Sequence, residues 1–111
     1  TAACGMAKEN KIPYVYSITP FILFRPFEAI RNYINHEKTP VKLIGGGRNK
    51  DYGYLGFSHW GDDDMLFMSK FENILSFKPN DDVSLEEILE YSMVTNLGVY
   101  INLKKWIIKL L

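Results

Sequence analysis

Residues 14–47 read YVYSITPFILFRPFEAIRNYINHEKTPVKLIGGG, and this stretch predicts a strand, a helix and a second strand in succession. Residues 14–18 are rich in β-branched and aromatic side chains, which favour a short strand. Proline suits the first turn of a helix, so the helix begins at either Thr19-Pro20 or Arg25-Pro26. Residues 41–44 form the second strand, which leads into three consecutive glycines. Apolar side chains recur along one face of the predicted helix at Phe27, Ile30 and Ile34.

The rest of the chain continues the alternation of helices and strands. We expect helices over residues 2–10, 62–71 and 84–95, the last opened by a capping box at Ser84, and strands over residues 74–77 and 99–103. Short continuous apolar strands are typical of a parallel sheet that is covered on both faces. The sequence therefore predicts an α/β fold, a three-layer sandwich with a mostly parallel open sheet and helices on both faces. We assign residues 1–103 to this single domain and residues 104–111 to a basic amphipathic tail.

Length and composition limit the classes of function. A chain of 111 residues makes one domain, and its thirteen basic residues balance thirteen acidic ones. Binding to a nucleic-acid backbone needs an excess of lysine and arginine, so we expect no nucleic-acid partner. No apolar run approaches the roughly 20 residues of a membrane span. A single cysteine, Cys4, fits a reducing compartment, so we expect a cytoplasmic protein that does not bind a membrane.

Two segments that follow predicted strands have an unusual composition. Three phenylalanines, Phe21, Phe24 and Phe27, recur at every third position after the first strand. After the second strand, residues 45–64 read GGGRNKDYGYLGFSHWGDDD, a loop with six glycines and one histidine. Long loops in compact domains are usually functional or disordered, and the carboxyl ends of parallel strands meet at one edge of a sheet. We therefore expect both segments to border one ring-binding pocket, although phenylalanines at this spacing also fit an ordinary core.

Several motifs in these segments resemble the pyrimidine-binding (central) domain of transketolase-like enzymes that depend on thiamine diphosphate. Residues 52–59, YGYLGFSH, are similar to the family's Tyr-Gly-x-x-Gly-Pro-Thr-His. Residues 63–65, DDM, are similar to its Glu-Asp-Ile, and residues 28–32, EAIRN, to its Glu-Gln-Ile-Arg. The resemblance extends over most of the chain up to Leu103. It implies a cofactor site that is shared between two domains.

The resemblance also implies roles for individual residues. His59 would be catalytic, as a proton carrier that faces the donor substrate, because imidazole titrates near neutrality; a lone histidine is equally often structural. Arg48 and Ser58 would bind substrate. Thiamine diphosphate would be the cofactor, and magnesium would be held only by the partner, a diphosphate-binding domain or subunit. Three side chains would stack on the pyrimidine ring of the cofactor and exclude water from it: Phe21, Phe24 and Phe27.

The chain also departs from the family pattern. Phe57 replaces the proline and Ser58 the threonine of the histidine motif, and Leu55 stands where sugar-phosphate enzymes often have an acidic residue. The family's essential glutamate would lie upstream of Thr1. Because the sequence opens in what reads as the middle of a helix, we expect the amino end of the domain to be missing. A Gly-Asp-Gly…Asn element for the metal and diphosphate does not occur in the sequence.

These features predict the pyrimidine-binding half of an enzyme that transfers a two-carbon ketol unit through a cofactor carbanion. As an isolated chain it would be inactive, and it would work in a homo- or hetero-oligomer. Two alternatives remain. The chain could be a non-catalytic, degenerate module that assembles with an active partner, or it could be a component of a deoxyxylulose phosphate synthase or an oxo-acid dehydrogenase.

Three further motifs have simpler explanations. Asp62, Asp63 and Asp64 could suggest a metal site, but acidic residues also suit the start of a helix. Three successive helical residues cannot all face one ion, so we predict no metal ligands. The glycine triplet before Arg48 could cradle a phosphate, but a triplet alone is weak evidence. The tail, residues 104–111, fits a docked terminal helix better than a membrane-surface helix.

Overall fold

The computed structural model describes residues 1–105. The elements are α1 (Ala2–Lys8), β1 (Tyr14–Ile18), α2 (Thr19–Leu23), α3 (Phe27–Ala29), a π-helix (Ile30–His36), β2 (Lys42–Gly46), two 3-10 turns (Gly53–Leu55 and Phe57–His59), α4 (Asp64–Met68), β3 (Ile74–Phe77), α5 (Asp82–Val94) and β4 (Gly98–Leu103). The strands of this part of the chain pair in the order β1-β2-β4-β3, and each pair is parallel. Helices and strands alternate, so the predicted α/β fold is confirmed.

Apolar side chains on the two faces of the sheet form two separate core clusters. Along β4 the side chains alternate between these faces, as the two-residue period of a strand requires. Val99, Ile101 and Leu103 pack against α5. Tyr100 lies on the opposite face, in the cluster that includes residues of α1, α2 and α4. Helices therefore cover both faces, and the predicted three-layer sandwich is confirmed.

The carboxyl ends of three strands lie level with one another. Ile18, the last residue of β1, pairs with Gly46 at the end of β2, and Gly46 pairs with Leu103 at the end of β4. The shorter β3 ends at Phe77, opposite Ile101. The segments after β1 and β2 therefore leave the sheet at one edge, as the sequence predicted.

The helix after β1 is divided, which the sequence pattern did not predict. Both candidate proline positions are used: Pro20 lies in the first turn of α2, and Pro26 immediately precedes α3. Proline lacks an N–H and restricts the residue before it, so one continuous helix cannot run through Pro26. The expected helix over residues 27–34 is present, but after Ala29 its hydrogen bonds change to a rare π-helical pattern.

Two predicted helix bounds were wrong. α4 spans Asp64–Met68 only, where residues 62–71 were expected. α5 begins at Asp82, and the Asp81 carboxylate, not the Ser84 hydroxyl, caps it by accepting the Ser84 N–H at 2.7 Å. A carboxylate is a strong cap for the first free N–H groups of a helix. Hydrogen bonding to Ser84 lowers the pKa of Asp81.

One charged side chain is buried at the amino edge of the sheet. Lys42 begins β2 and is 1% exposed, and its ammonium donates to the carbonyl oxygens of Thr95 at 3.0 Å and Leu97 at 2.7 Å. Burial lowers the pKa of this ammonium. Lys42 therefore satisfies carbonyls at the end of α5, where a cation is favourable.

The tail predicted over residues 104–111 lies outside the described residues except for its first two. At Lys105 the backbone N–H donates to the Asp51 carboxylate at 2.9 Å. Among the helices of residues 1–105, none is long and apolar enough to cross a membrane.

Candidate functional site

The loop after β2 is anchored to the sheet edge at Gly47. Its N–H donates to the Leu103 carbonyl at 2.8 Å. Its own carbonyl accepts from the Thr19 hydroxyl at 2.7 Å and from the Asn102 amide at 3.1 Å. The backbone of Gly47 has a φ of +96°, a conformation that favours glycine. Three strand ends are therefore joined by a single residue.

The guanidinium of Arg48 lies beneath this loop and is engaged by protein atoms. Arg48 is 8% exposed, and it donates to the side chain and the carbonyl of Asn102 at 2.8 and 2.9 Å. It also donates to the Asn80 side chain at 2.8 Å and to the Pro79 carbonyl at 2.9 Å. Burial lowers the pKa of this guanidinium, against the opposing effect of nearby carboxylates. The family resemblance implies that Arg48 contacts substrate, whereas in the structure its donors tie the loop to β4 and to the segment after β3.

A second buried group, Asp64, lies at the same edge. Its side chain is fully buried, and its carboxylate accepts from the Tyr100 hydroxyl at 2.6 Å and pairs with the Lys78 ammonium at 3.1 Å. Asp64 is the first residue of α4, so it starts a helix as expected of the acidic triplet. Among residues 1–105, no group of three histidine, cysteine or acidic side chains lies close enough to hold a metal ion.

Tyr100 provides a test of this buried cluster by pH. Burial, followed by the Asp64 carboxylate, raises the pKa of Tyr100 far above its ordinary value of 10.0. An unfolded tyrosine loses its proton near pH 10 while folded Tyr100 keeps it, so the stabilisation is complete below about pH 10 and is lost as the pH rises. We expect the stability difference between the wild type and Tyr100→Phe to shrink above about pH 10, by up to about 1.4 kcal/mol per pH unit.

Urea unfolding between about pH 8 and pH 11 measures this difference. Tyr54→Phe is the matched control, because Tyr54 is a tyrosine that is 77% exposed and lies outside the buried cluster. A gap between the wild type and Tyr100→Phe that stays constant to about pH 11 would contradict the assignment.

An apolar cleft of about 250 Å³ opens at this edge, outside the buried cluster. Pro20, Phe21 and Phe24 line one side of it, and residues of the glycine-rich loop, among them Phe57 and Trp60, line the other. The 3-10 turns bring these loop residues to the surface beside α2. The cleft has the size and the aromatic walls to hold one substituted six-membered ring.

Of the six residues singled out from the sequence, three line this cleft, namely Phe21, Phe24 and Ser58, and a fourth, His59, packs against Phe21. The Phe21 and His59 rings meet edge to face with centroids 4.9 Å apart. The Ser58 hydroxyl lies 3.0 Å from Nδ1 of His59, and Phe24 contacts Phe67 at the rim. Phe27 is not among them, because its ring packs on Phe71 in the core beneath. Arg48 is the other exception, as described above.

The polar residues that support the cleft were not identified from the sequence. Thr19, Tyr100 and Asn102 form one hydrogen-bonded group beneath the loop, with the Asn102 amide donating to the Thr19 hydroxyl at 3.2 Å and to the Tyr100 hydroxyl at 3.4 Å. A signal existed for Asn102, because asparagine is depleted from strands. An asparagine inside an apolar strand indicates a buried polar partner.

No protein-family profile matches the sequence. Among curated proteins, the chain is 30% identical over 79 residues to the "putative transketolase C-terminal section" of Methanocaldococcus jannaschii. That match covers 71% of this chain and 25% of the relative, so the chain spans about a quarter of the curated protein that it matches.

Two solved structures are similar in fold. One is a split-gene transketolase, described as an inactive β4 tetramer, with a TM-score of 0.81 and 28% identity over 94% of this chain and 33% of the other. The second is the transketolase of Campylobacter jejuni, with a TM-score of 0.74 and 14% identity over 90% of this chain and 16% of that enzyme. At the lower identity, the likeness concerns the fold alone. From its sequence relative and its fold together, this chain is a transketolase-like α/β domain.

Proposed function

We propose that this domain is the pyrimidine-binding half of a thiamine diphosphate-dependent, transketolase-like enzyme that transfers a two-carbon ketol unit. The observation that supports it best is the contact between the ring of Phe21, which lines an apolar cleft, and the ring of His59, with centroids 4.9 Å apart. A flat apolar wall beside a proton-carrying imidazole is the combination that carbanion chemistry on a heterocycle requires.

Each residue of the cleft would have a separate task. Phe21 and Phe24 would stack on the ring and keep water from it. The Ser58 hydroxyl, 3.0 Å from Nδ1, would orient the His59 imidazole so that its other nitrogen exchanges a proton with the substrate. Thiamine diphosphate would supply the carbanion chemistry when it is bound. Ser58 therefore remains our choice for a polar contact near the substrate, while Arg48 would hold the loop in place.

We further propose that a second polypeptide completes the site and holds the diphosphate and magnesium. The cleft is lined by exposed apolar side chains, including Phe57 at 73% and Phe24 at 37% exposure. Contiguous exposed apolar surface commonly marks a protein interface. The isolated chain would accordingly be inactive and would function in an oligomer. Because its one cysteine is a buried free thiol, we place it in a reducing compartment, the cytoplasm.

A non-catalytic module is the second candidate function. The position of Phe27 favours it, because that ring lies in the core against Phe71 and leaves the cleft with two of its three expected phenylalanines. A module of this kind would assemble with its partner without binding cofactor. Native mass spectrometry of the chain with a diphosphate-binding transketolase polypeptide, with and without thiamine diphosphate and magnesium, separates the two functions.

Thiamine itself tests the cleft in the chain as it exists. We expect thiamine to shift the NMR signals of the His59 and Phe21 rings, and Phe21→Ala to weaken this binding by roughly two- to tenfold, since an aromatic contact contributes about 0.5–1.5 kcal/mol. Tyr54→Ala is the matched control, because Tyr54 is an exposed aromatic residue outside the cleft lining. If thiamine leaves the two ring signals unchanged, or if both variants bind it equally, the cleft is not the pyrimidine site.

A further inference from the structure

We infer that Arg25 is an anion-binding residue at the mouth of the cleft. It would hold a phosphate or carboxylate group on the molecule that reacts there. The assignment of that group to the substrate rests on the proposed function, whereas the anion site itself rests on the geometry of Arg25.

Arg25 lies in the turn between α2 and α3, directly before Pro26. Its guanidinium carbon is 4.4 Å from the centroid of the Phe21 ring, and its side chain lines the cleft. A guanidinium stacked on an aromatic ring is held through its flat face, so the N–H groups around its edge remain available. Across residues 1–105, Arg25 makes no hydrogen bond or ion pair with another side chain or carbonyl.

Arg48 offers a direct comparison within the same sheet edge. Its guanidinium donates four hydrogen bonds to protein oxygens and is almost fully buried. Arg25 has the same chemical group but is exposed and stacked, without an acceptor. Of these two arginines, Arg25 is therefore the one that can donate a bidentate pair to a phosphate or carboxylate.

The charges around the cleft also favour an anion. Lys50 lies with its ammonium 4.7 Å from the centroid of Trp60, a lining residue on the loop side. Two cations thus lie on aromatic rings of the lining, while the acidic lining residue is Asp63. Lys50 would therefore offset the charge of Asp63, so that the Arg25 guanidinium can attract an anionic ligand to the cleft mouth.

The position of Arg25 relative to His59 suits a short substrate. Phe21 contacts both: its ring centroid is 4.9 Å from that of His59 and 4.4 Å from the guanidinium carbon of Arg25. The two functional groups therefore lie at most about 9.3 Å apart, the sum of these distances. One molecule of a few carbon atoms could place its reacting carbon near His59 and its charged end at Arg25.

The three arginines of the chain allow a test with internal controls. The Nε–Hε NMR signals of Arg25, Arg31 and Arg48 in the full chain are followed as inorganic phosphate is added at constant ionic strength. We expect the Arg25 signal to shift and saturate, the exposed Arg31 signal to follow only weakly, and the buried Arg48 signal to stay unchanged. Arg25→Gln should weaken phosphate binding about tenfold or more, and Arg31→Gln less than about twofold.

Further arms of the same titration separate the sources of the anion. Ribose 5-phosphate tests a phosphate ester and pyruvate tests a carboxylate, and the one that saturates Arg25 at the lower concentration identifies the group. An Arg25 signal that does not saturate with any of these probes, or an Arg25→Gln variant that binds phosphate as the wild type does, would overturn the inference.

Thiamine carries no phosphate, so a separate titration with thiamine tests the proposed function independently of the anion site. Thiamine binding without phosphate binding would contradict the anion site and support the pyrimidine site. Phosphate binding without thiamine binding would support the anion site and contradict the proposed function. An unchanged Nε–Hε signal of the buried Arg48 in the Arg25→Gln variant confirms that the variant still folds.

Discussion

Replacing Arg48 with methionine is expected to lower the free energy of unfolding by about 3–5 kcal/mol. Methionine keeps the length of the side chain but none of its donors. Four oxygens at the sheet edge, on Asn102, Asn80 and Pro79, would lose their partner inside the protein. A buried acceptor without a partner costs about 1–3 kcal/mol. A domain of ordinary stability, about 5–15 kcal/mol, would lose a large part of it.

Urea unfolding of the full chain measures the effect, and two variants control for it. Arg31→Met removes an arginine that is exposed and whose side chain, within residues 1–105, bonds only to Asn32, so it should change stability by less than about 0.5 kcal/mol. Arg48→Lys should recover only part of the loss, because an ammonium cannot span four acceptors as a planar fork does. A loss below about 1 kcal/mol in Arg48→Met would mean that the guanidinium is no more important than an exposed charge.

The second large effect is expected for Gly47→Ala, which should destabilise the protein by about 2–5 kcal/mol. Gly47 has a φ of +96°, which an L-residue adopts at a cost of about 1–2 kcal/mol. An added Cβ would also lie 2.5 Å from Cε2 of Tyr52, so that ring would have to move. Because the backbone N–H and carbonyl of Gly47 bond to β4 and Thr19, the displaced loop should carry His59 away from Phe21. Loss of the contact between these two rings, seen by NMR, is the expected second readout.

Gly56→Ala separates the two expected causes of destabilisation at Gly47, the positive φ and the clash with Tyr52. Gly56 also has a positive φ, +86°, but an added Cβ would meet no atom within 4 Å. It should therefore show the backbone cost alone, about 1–3 kcal/mol, and should leave the ring contact in place. Gly53→Ala has neither problem and should be close to neutral. Equal destabilisation by Gly47→Ala and Gly56→Ala would mean that the Tyr52 ring moves aside freely.

These two predictions concern one structural feature. The ring pair Phe21 and His59 is formed by segments that are separated by a strand and a π-helix. The bonds that tie the loop of His59 to the sheet lie at the two ends of that loop, at Gly47 and Arg48 and at Asp64. The cleft therefore depends on a buried polar group beneath it, as pre-organised sites commonly do.

The fold was predictable because its signals are local. β1 and β3 begin and end where apolar, β-forming residues begin and end, and the two prolines mark the starts of α2 and α3. Errors occurred where two local signals competed. Asp81 and Ser84 could both cap α5, and the carboxylate was the stronger acceptor for the free N–H.

The candidate site was predictable only in part. The rule that strand ends share one edge correctly brought Phe21 and His59 together. The spacing of the phenylalanines did not separate those at the cleft from Phe27, since a period of three fits a pocket and a core equally. The change to a new helix after Pro26 turned Phe27 towards Phe71, a partner more than forty residues away in the chain.

Patterns within a few residues of one another were thus enough for the parallel sheet, its covering helices and the edge at which the loops meet. Contacts between distant segments decided the different roles of residues of the same type, such as two of the arginines. Arg48 is buried because Asn80 and Asn102 provide its acceptors. Arg25 is exposed, with its guanidinium over the ring of Phe21 in α2. The physical reason is that burial and hydrogen-bond partners depend on which surfaces meet after folding, whereas strand and helix preferences are already present in the unfolded chain.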